Sequence, residues 1–396
     1  MADVSDRVKS MPPYLFSVIQ KKKKELEASG MDIIDLGIGA PDLPTPAFII
    51  DRLVEETKKP NNHRYSTYHG CTEFREAVAA YYKRCYNVEV DPETEVLTLI
   101  GSKEGIAHMI MAMMNPGETA LIPDPGYPVY RSAVHLIGGD SVYLPLDTSG
   151  SYEPKFSEIS RETYETTKLM LLNYPSNPTA ATTDFNTFLK AVTLARQHDF
   201  SLIHDAAYSD LTFKGYKAPS ILQVEGAKDV AVEFGSLSKT FNMTGWRIGY
   251  AVGNKAMIKA LSIVKSNMDT CQFLPIQKAA AEALNSDFST VRESIAIYEE
   301  RMEIVLAALK EIGITVEPPK GTFFIWAPVP EGYTSSGFAE KMLVDAGVII
   351  TPGPAFGPSG EGYFRLSLSV DTDRLKQAME RMKTFYTKGV QEWIKK

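Results

Sequence analysis

Cysteine is scarce in this chain: Cys71, Cys85 and Cys271 are the only three among 396 residues. Their odd number and wide spacing exclude a disulfide framework and a C-x-x-C metal or redox pair. They read as thiols of a reducing compartment, and the expected location is the cytoplasm. Histidine is scarce too, with six residues and no HExxH pair, and no run of carboxylates suggests a metal, so none is expected. Long apolar runs are missing. The opening MADVSDRVKSMPPYLFSVIQKKKKELEASG holds neither a signal-peptide core nor a membrane span, and Lys21 to Lys24 with Glu25 and Glu27 read as a solvated helix face. The net charge is −7 and no long basic block occurs, so nucleic acid is not an expected partner.

Several common signatures are absent as well. A phosphate-binding P-loop needs glycines where Ser238 and Glu233 stand. In LGIGAPD, Gly37 and Gly39 lack the third glycine of a dinucleotide fingerprint, because Asp42 takes its place. No G-x-S-x-G nucleophile elbow occurs.

What is present is an ordinary globular balance, 44% apolar and 23% charged, over a length that suits two or three domains. Apolar runs at 95–101, 119–123, 168–175, 200–205 and 231–238 largely lack alternation, which predicts strands covered on both faces. Helical spacing between them, as at Phe185, Phe188, Leu189 and Val192, predicts an α/β fold with a mostly parallel sheet and helices on both faces. The stretch KEGIAHMIMAMMN is apolar nearly all round and reads as a buried helix. From about residue 286 the pattern changes to a long helix, strands in GTFFIWAPV, GVIITPG and YFRLSLSV, and a closing helix with Leu375, Ala378, Met379 and Met382 on one face. The expected division is an arm and small-domain segment over 1–45, a large domain over 46–285 and a smaller α+β domain over 286–396.

In open parallel α/β sheets ligands sit beyond the carboxyl ends of the strands. The residues there are Gly101-Ser102-Lys103, then DPGYPVY with Tyr127, then Asn177 in SNPT, then Asp205 with Tyr208, then Ser236-Leu237-Ser238-Lys239. Singly these are ordinary N-caps, turns and strand ends. Together they bring an anion nest, an aromatic ring, an amide, a carboxylate and an amine to one sheet edge, with Arg247 following.

Asn177-Pro178, Asp205-x-x-Tyr208, Ser236-x-Ser238-Lys239 and Arg247 resemble the signature of class I, fold-type I pyridoxal-phosphate aminotransferases. The resemblance runs from LGIGAPD to YFRLSLSV. GSKEGIAH, DPGYPVY and NYPSNPT are most similar to the LL-diaminopimelate aminotransferase-like and alanine aminotransferase-like groups. It implies that Lys239 holds the pyridoxal 5′-phosphate aldehyde as an imine and then serves as acid–base catalyst. It implies that Asp205 pairs with the ring nitrogen, Asn177 and Tyr208 with the ring oxygen, and that Tyr127 stacks on the ring. Backbone amides at Ser102 and Lys103, the Ser236 and Ser238 hydroxyls and Arg247 would hold the phosphate. Tyr65 would reach the phosphate of the neighbouring subunit in a homodimer, Arg365 would clamp the substrate α-carboxylate, and Gly39, Asn177 and Phe323 would line the substrate pocket. Lys103, Glu104, Tyr14 and Tyr68 are candidates to read the distal end of the substrate. The function so implied is amino transfer between an L-amino acid and a 2-oxo acid by a ping-pong mechanism. A lyase using the same cofactor is the alternative. A non-catalytic regulator is the remote one, since the short N-terminal arm leaves no room for a DNA-binding domain.

Overall fold

The computed structural model describes residues 3–11 and 15–394, with side chains described from 19 to 386 in the longer segment. Its strands, in chain order, are β1 (Ile34–Asp35), β2 (Val96–Leu99), β3 (Thr119–Pro123), β4 (Asp140–Leu144), β5 (Thr167–Asn173), β6 (Ser201–Asp205), β7 (Ala231–Ser236), β8 (Gly249–Gly253), β9 (Phe324–Pro328), β10 (Val348–Ile349), β11 (Thr351–Pro352) and β12 (Tyr363–Ser367).

Seven of them form one sheet in the order β2-β8-β7-β6-β5-β3-β4. Strand β8 alone runs against the rest, pairing antiparallel with β2 and β7, while β7, β6, β5, β3 and β4 pair in parallel. The central strands are buried along nearly their whole length, as unbroken Leu, Ile and Val runs require when helices cover both faces. One core lies beneath Phe74, Val78, Phe188 and Ala279, and the other beneath Ile106, Met109 and Leu261.

The C-terminal part is a smaller layer. Strands β11, β12 and β9 form an antiparallel sheet packed on the long helix Ser289–Glu311 and the closing helix Thr372–Ile394. All four predicted residues of the closing helix, Leu375, Ala378, Met379 and Met382, are buried. Ile34 and Asp35 pair with Val348 and Ile349, so the N-terminal segment joins this layer. The long helix bridges the two parts, because Val291 packs in the first core and Tyr298 to Leu309 in the C-terminal one.

Three expectations need correction. Phe185 and Leu189 are each 44% exposed; Phe188, Ala191, Val192 and Ala195 form the buried face of helix Phe185–His198 instead. Small alanines can sit closest to the sheet, which hydrophobicity alone does not reveal. GVIITPG is not one strand: Val348–Ile349 pairs with β1 and Thr351–Pro352 with β12. The helix Ser102–Met113 buries Gly105, Ile106, Met109 and Ile110, but Met111 on its other face is exposed. Among the described residues no helix is long and apolar enough to cross a membrane.

Candidate active site

The ends of β2, β3, β5, β6 and β7 open into a cavity of about 690 Å³, closed on its other side by residues 38–40, Phe356 and Arg365. Ser102, Lys103, Tyr127, Asn177, Asp205, Tyr208, Ser236, Ser238, Lys239, Arg247, Gly39 and Arg365 all line it. Residues up to 326 positions apart in the chain thus meet because parallel strands deliver their C-terminal ends to one edge.

At one end the cavity suits an anion. Helix Ser102–Met113 presents its first amides there, after Gly101 at φ 108°. A Cβ on Gly101 would lie 2.2 Å from Arg247 Nη2, so only glycine lets the arginine reach across the helix start. Ser236 caps the short helix Leu237–Thr240 by accepting from Ser238 N, and the buried Ser238 Oγ has no hydrogen-bond partner. Arg247 itself adopts a left-handed conformation, with its carbonyl accepting from Gln272 Nε2 at 2.5 Å and its Nη1 donating to Thr244 O.

At the centre stands Lys239. Its Nζ donates to Gly39 O at 2.8 Å. Burial, then the positive charges of Arg247 and Arg365, lower its pKa to about 8, against the opposing pull of Asp205. Asp205 is held in place by Tyr130, whose hydroxyl donates to Oδ2 at 2.7 Å, and by Ala207 N. Burial raises the Asp205 pKa, and these donors and nearby cations act the other way. A cation brought to this carboxylate would stabilise its charged form.

At the far end, Arg365 is only 2% exposed. Its Nη1 donates to Asn177 Oδ1 at 2.6 Å and its Nη2 to Gly37 O at 2.7 Å. The Asn177 backbone is fixed in turn by Asn173 Oδ1, which accepts from the main-chain N of Asn177 at 2.8 Å. Gly39 comes close to the ring beneath Arg365: a Cβ there would sit 2.9 Å from Phe324 Cζ.

Two predicted residues lie elsewhere. Phe323 is fully buried and does not line the cavity; it backs Tyr208 edge-on at 5.6 Å, while Ile38 and Phe356 supply apolar wall. Phe323 stands in the bend before β9, one layer behind the cavity, with its ring centroid 5.9 Å from Lys239 Nζ. Tyr65 is 93% exposed and does not line the cavity of its own chain. Of the candidates for the distal end, Lys103 lines the cavity, while Tyr68 does not, and Tyr14 lies outside the described residues.

Glu104 is engaged elsewhere: its Oε1 accepts from the buried Lys265 at 3.3 Å and lies 3.0 Å from His108 Nδ1. Asp269 completes this group, accepting from Lys265 at 2.5 Å. Glu104, His108 and Asp269 hold their ligand atoms within 4.8 Å of one another, a cluster that only folding assembles, and the Lys265 ammonium already stands against both carboxylates.

Sequence reasoning missed Tyr130, Asn173, Phe356 and Gln20. Tyr130, three residues after Tyr127 in DPGYPVY, carried a usable signal: a polar-tipped aromatic repeated at helical spacing near a strand end. Gln20 carried none.

An amine of lowered pKa, a buried carboxylate, an aromatic wall and an anion cradle with an unpartnered hydroxyl are chemically suited to pyridoxal phosphate. The family model of class I and II aminotransferases matches residues 31–382, and the chain belongs to that family. It is 48% identical over 377 residues to LL-diaminopimelate aminotransferase of Moorella thermoacetica, covering 95% of this chain and 97% of that protein. The enzyme of the same name from Aquifex aeolicus is 47% identical, covering 97% and 99%. Among solved structures, substrate-bound BacF from Bacillus subtilis superposes with a TM-score of 0.94 at 38% identity, covering 98% of each chain. The protein is therefore a transaminase that moves an amino group between an L-amino acid and a 2-oxo acid, and the lyase and regulator readings gain no support.

Proposed function

We propose that this aminotransferase uses pyridoxal phosphate, runs by a ping-pong mechanism and takes LL-diaminopimelate as its amino donor. The observation that carries the substrate assignment is identity of 47–48% to LL-diaminopimelate aminotransferases along nearly the whole chain. When bound, the cofactor supplies an aldehyde that takes up the amino group and a cationic ring that draws electrons from the substrate α-carbon.

The chain's own residues do the rest. Arg365 grips the α-carboxylate with its planar fork and so turns the α-hydrogen toward Lys239. Lys239, neutral above about pH 8, takes that proton and later returns it; Gly39 O holds the amine within reach. Asp205, anchored by Tyr130, stabilises positive charge on the ring. Tyr127 bears on the ring face, Asn177 and Tyr208 on its oxygen, and Ser102, Lys103, Ser236, Ser238 and Arg247 on the phosphate. Lys103 serves the phosphate through its backbone amide, and its side chain is assigned with Gln20, whose Nε2 also donates to Asp35, to the distal end of the donor, both residues lining the cavity.

A homodimer belongs to this reading, with Tyr65 reaching the partner's phosphate. Supporting it, Tyr65, Tyr68, Ile263, Met268 and Phe273 are exposed, and residues 63–68 adjoin 271–273 through the His63–Phe273 ring contact and the bond from Cys271 Sγ to Tyr68 O. The division at 45/46 and 285/286 is kept, with the long helix as the link. The deciding experiment is a panel of amino donors with 2-oxoglutarate as acceptor. LL-diaminopimelate should give the highest kcat/KM; alanine or an aromatic donor ahead of it would refute the substrate assignment. Lys239→Ala should abolish turnover, and an active variant would end the catalytic one.

A further inference from the structure

The guanidinium of Arg365 lies against two aromatic rings. Its Cζ lies 4.2 Å from the centroid of Phe324 and 4.8 Å from that of Phe356. Phe324 starts strand β9. Phe356 ends a short 3₁₀ helix, Gly353–Phe356, and its side chain reaches the cavity wall. Nothing about the stretch TPGPAFGPSG marks it as part of the site, because the contact depends on how that loop is carried across the cavity mouth.

Three further contacts fix the loop. Phe356 O accepts from Gly126 N at 2.8 Å, next to Tyr127. Ser359 N donates to the Asp124 carboxylate, with oxygens at 3.2 and 3.3 Å. The Phe356 ring meets Trp326 edge-on at 6.0 Å, and Trp326 Nε1 donates to Tyr152 Oη. Phe356 is thus tied by its backbone to the loop on the cofactor side and by its ring to the arginine on the substrate side.

Bidentate binding of a carboxylate demands that the guanidinium plane be set beforehand. Hydrogen bonds from Nη1 and Nη2 oppose rotation within the plane. They do little against tilting out of it. Contact with the ring faces of Phe324 and Phe356 does.

We propose that Phe356 is a positioning residue for the substrate α-carboxylate, setting the plane of the Arg365 fork through its ring face. This rests on the reading of Arg365 as the carboxylate clamp. Donor and oxo acid present the same carboxylate to the same fork, so both substrates depend on it equally.

The test is steady-state kinetics of the loaded enzyme with Phe356→Leu, which keeps apolar bulk and removes the ring face. KM for the amino donor and for the oxo acid should rise together, about three- to thirtyfold, the range of a partly desolvated cation–π contact. The kcat should fall by a smaller factor, and cofactor affinity, read by equilibrium titration, should stay within about twofold. Phe356→Tyr, which retains the face, should restore both KM values. Unchanged KM values, a rise for one substrate alone, or an equal loss of cofactor affinity would overturn the proposal. Arg365→Gln separates the two readings. If it leaves both KM values alone, the clamp itself is wrong; if it raises them and Phe356→Leu does not, only the role of Phe356 is wrong. Should the leucine variant fail to fold, Phe356→Met serves in its place.

Discussion

Lys239 Nζ donates a 2.8 Å hydrogen bond to the carbonyl oxygen of Gly39. The two residues are 200 positions apart, and the contact joins the end of β7 to the N-terminal segment that closes the cavity. The amine is therefore held at the cavity wall, in surroundings that disfavour its charge.

That disfavour predicts a pH dependence. Burial, Arg247 and Arg365 bring the Lys239 pKa down to about 8, and only the neutral amine attacks an aldehyde. Capture of pyridoxal phosphate by the cofactor-free protein, followed by stopped-flow absorbance, should slow about tenfold per pH unit below 8 and level off above it. A bend near 10 would show that the amine is not perturbed.

The same shift has a stability consequence of defined sign. Between about pH 8 and the ordinary lysine value of 10.5, the unfolded chain holds a proton that the folded one has released, so stability rises with pH across that window. Cofactor-free protein should gain about 1–3 kcal/mol there relative to Lys239→Met, measured by denaturant unfolding. Parallel curves for the two proteins would contradict this.

Asp205 accepts from a tyrosine, and its other contacts are equally directed. Asp205→Asn keeps the shape and removes the charge that stabilises a cationic ring. Turnover should drop by more than about a hundredfold, roughly the 3 kcal/mol lost with a buried charge partner. Assay at saturating cofactor separates this from weak binding.

Behind the sheet, Glu233 is 1% exposed and accepts from Tyr82 Oη, Ser220 Oγ and Ile221 N, with His204 Nδ1 at 2.8 Å. Glu233→Ala leaves all of these groups buried without their partner. Its cost should be about 3 kcal/mol or more, read as a lowered Tm and denaturant midpoint. A loss under about 0.5 kcal/mol would mean that water or rearrangement replaces the network.

Tyr65 offers a check on assembly. Tyr65→Phe should leave the oligomeric state by sedimentation unchanged and weaken pyridoxal phosphate binding by about three- to tenfold, the worth of one hydrogen bond to a charged group. Binding unaffected by the change would remove Tyr65 from the partner's site.

Much of this was open to reading before folding was known. The strand at Thr119–Pro123 and the buried face of the closing helix follow from runs and spacing of apolar residues. Lys239, Asp205 and Asn177 stand out because each follows an apolar run, with Arg247 eight residues after Lys239, and each carries a functional group that a globular core does not require. Phe323 stands behind Tyr208 rather than on the cavity wall, and which apolar ring reaches that wall depends on packing between segments. Leu189 misled because helix Phe185–His198 turns its alanines, rather than every large apolar residue, toward the sheet.

The sequence by itself determined the class of architecture and which polar residues stand at the strand ends, because local periodicity and side-chain type are properties of neighbouring residues. Only the tertiary structure decided that Phe356 and Phe324 both pack against Arg365, that Tyr130 meets Asp205, and that Glu104 turns to Lys265 rather than to the cavity. Each of these pairs is brought together by crossings of the chain, and the direction in which a side chain points across such a crossing is set by packing, which no single segment encodes.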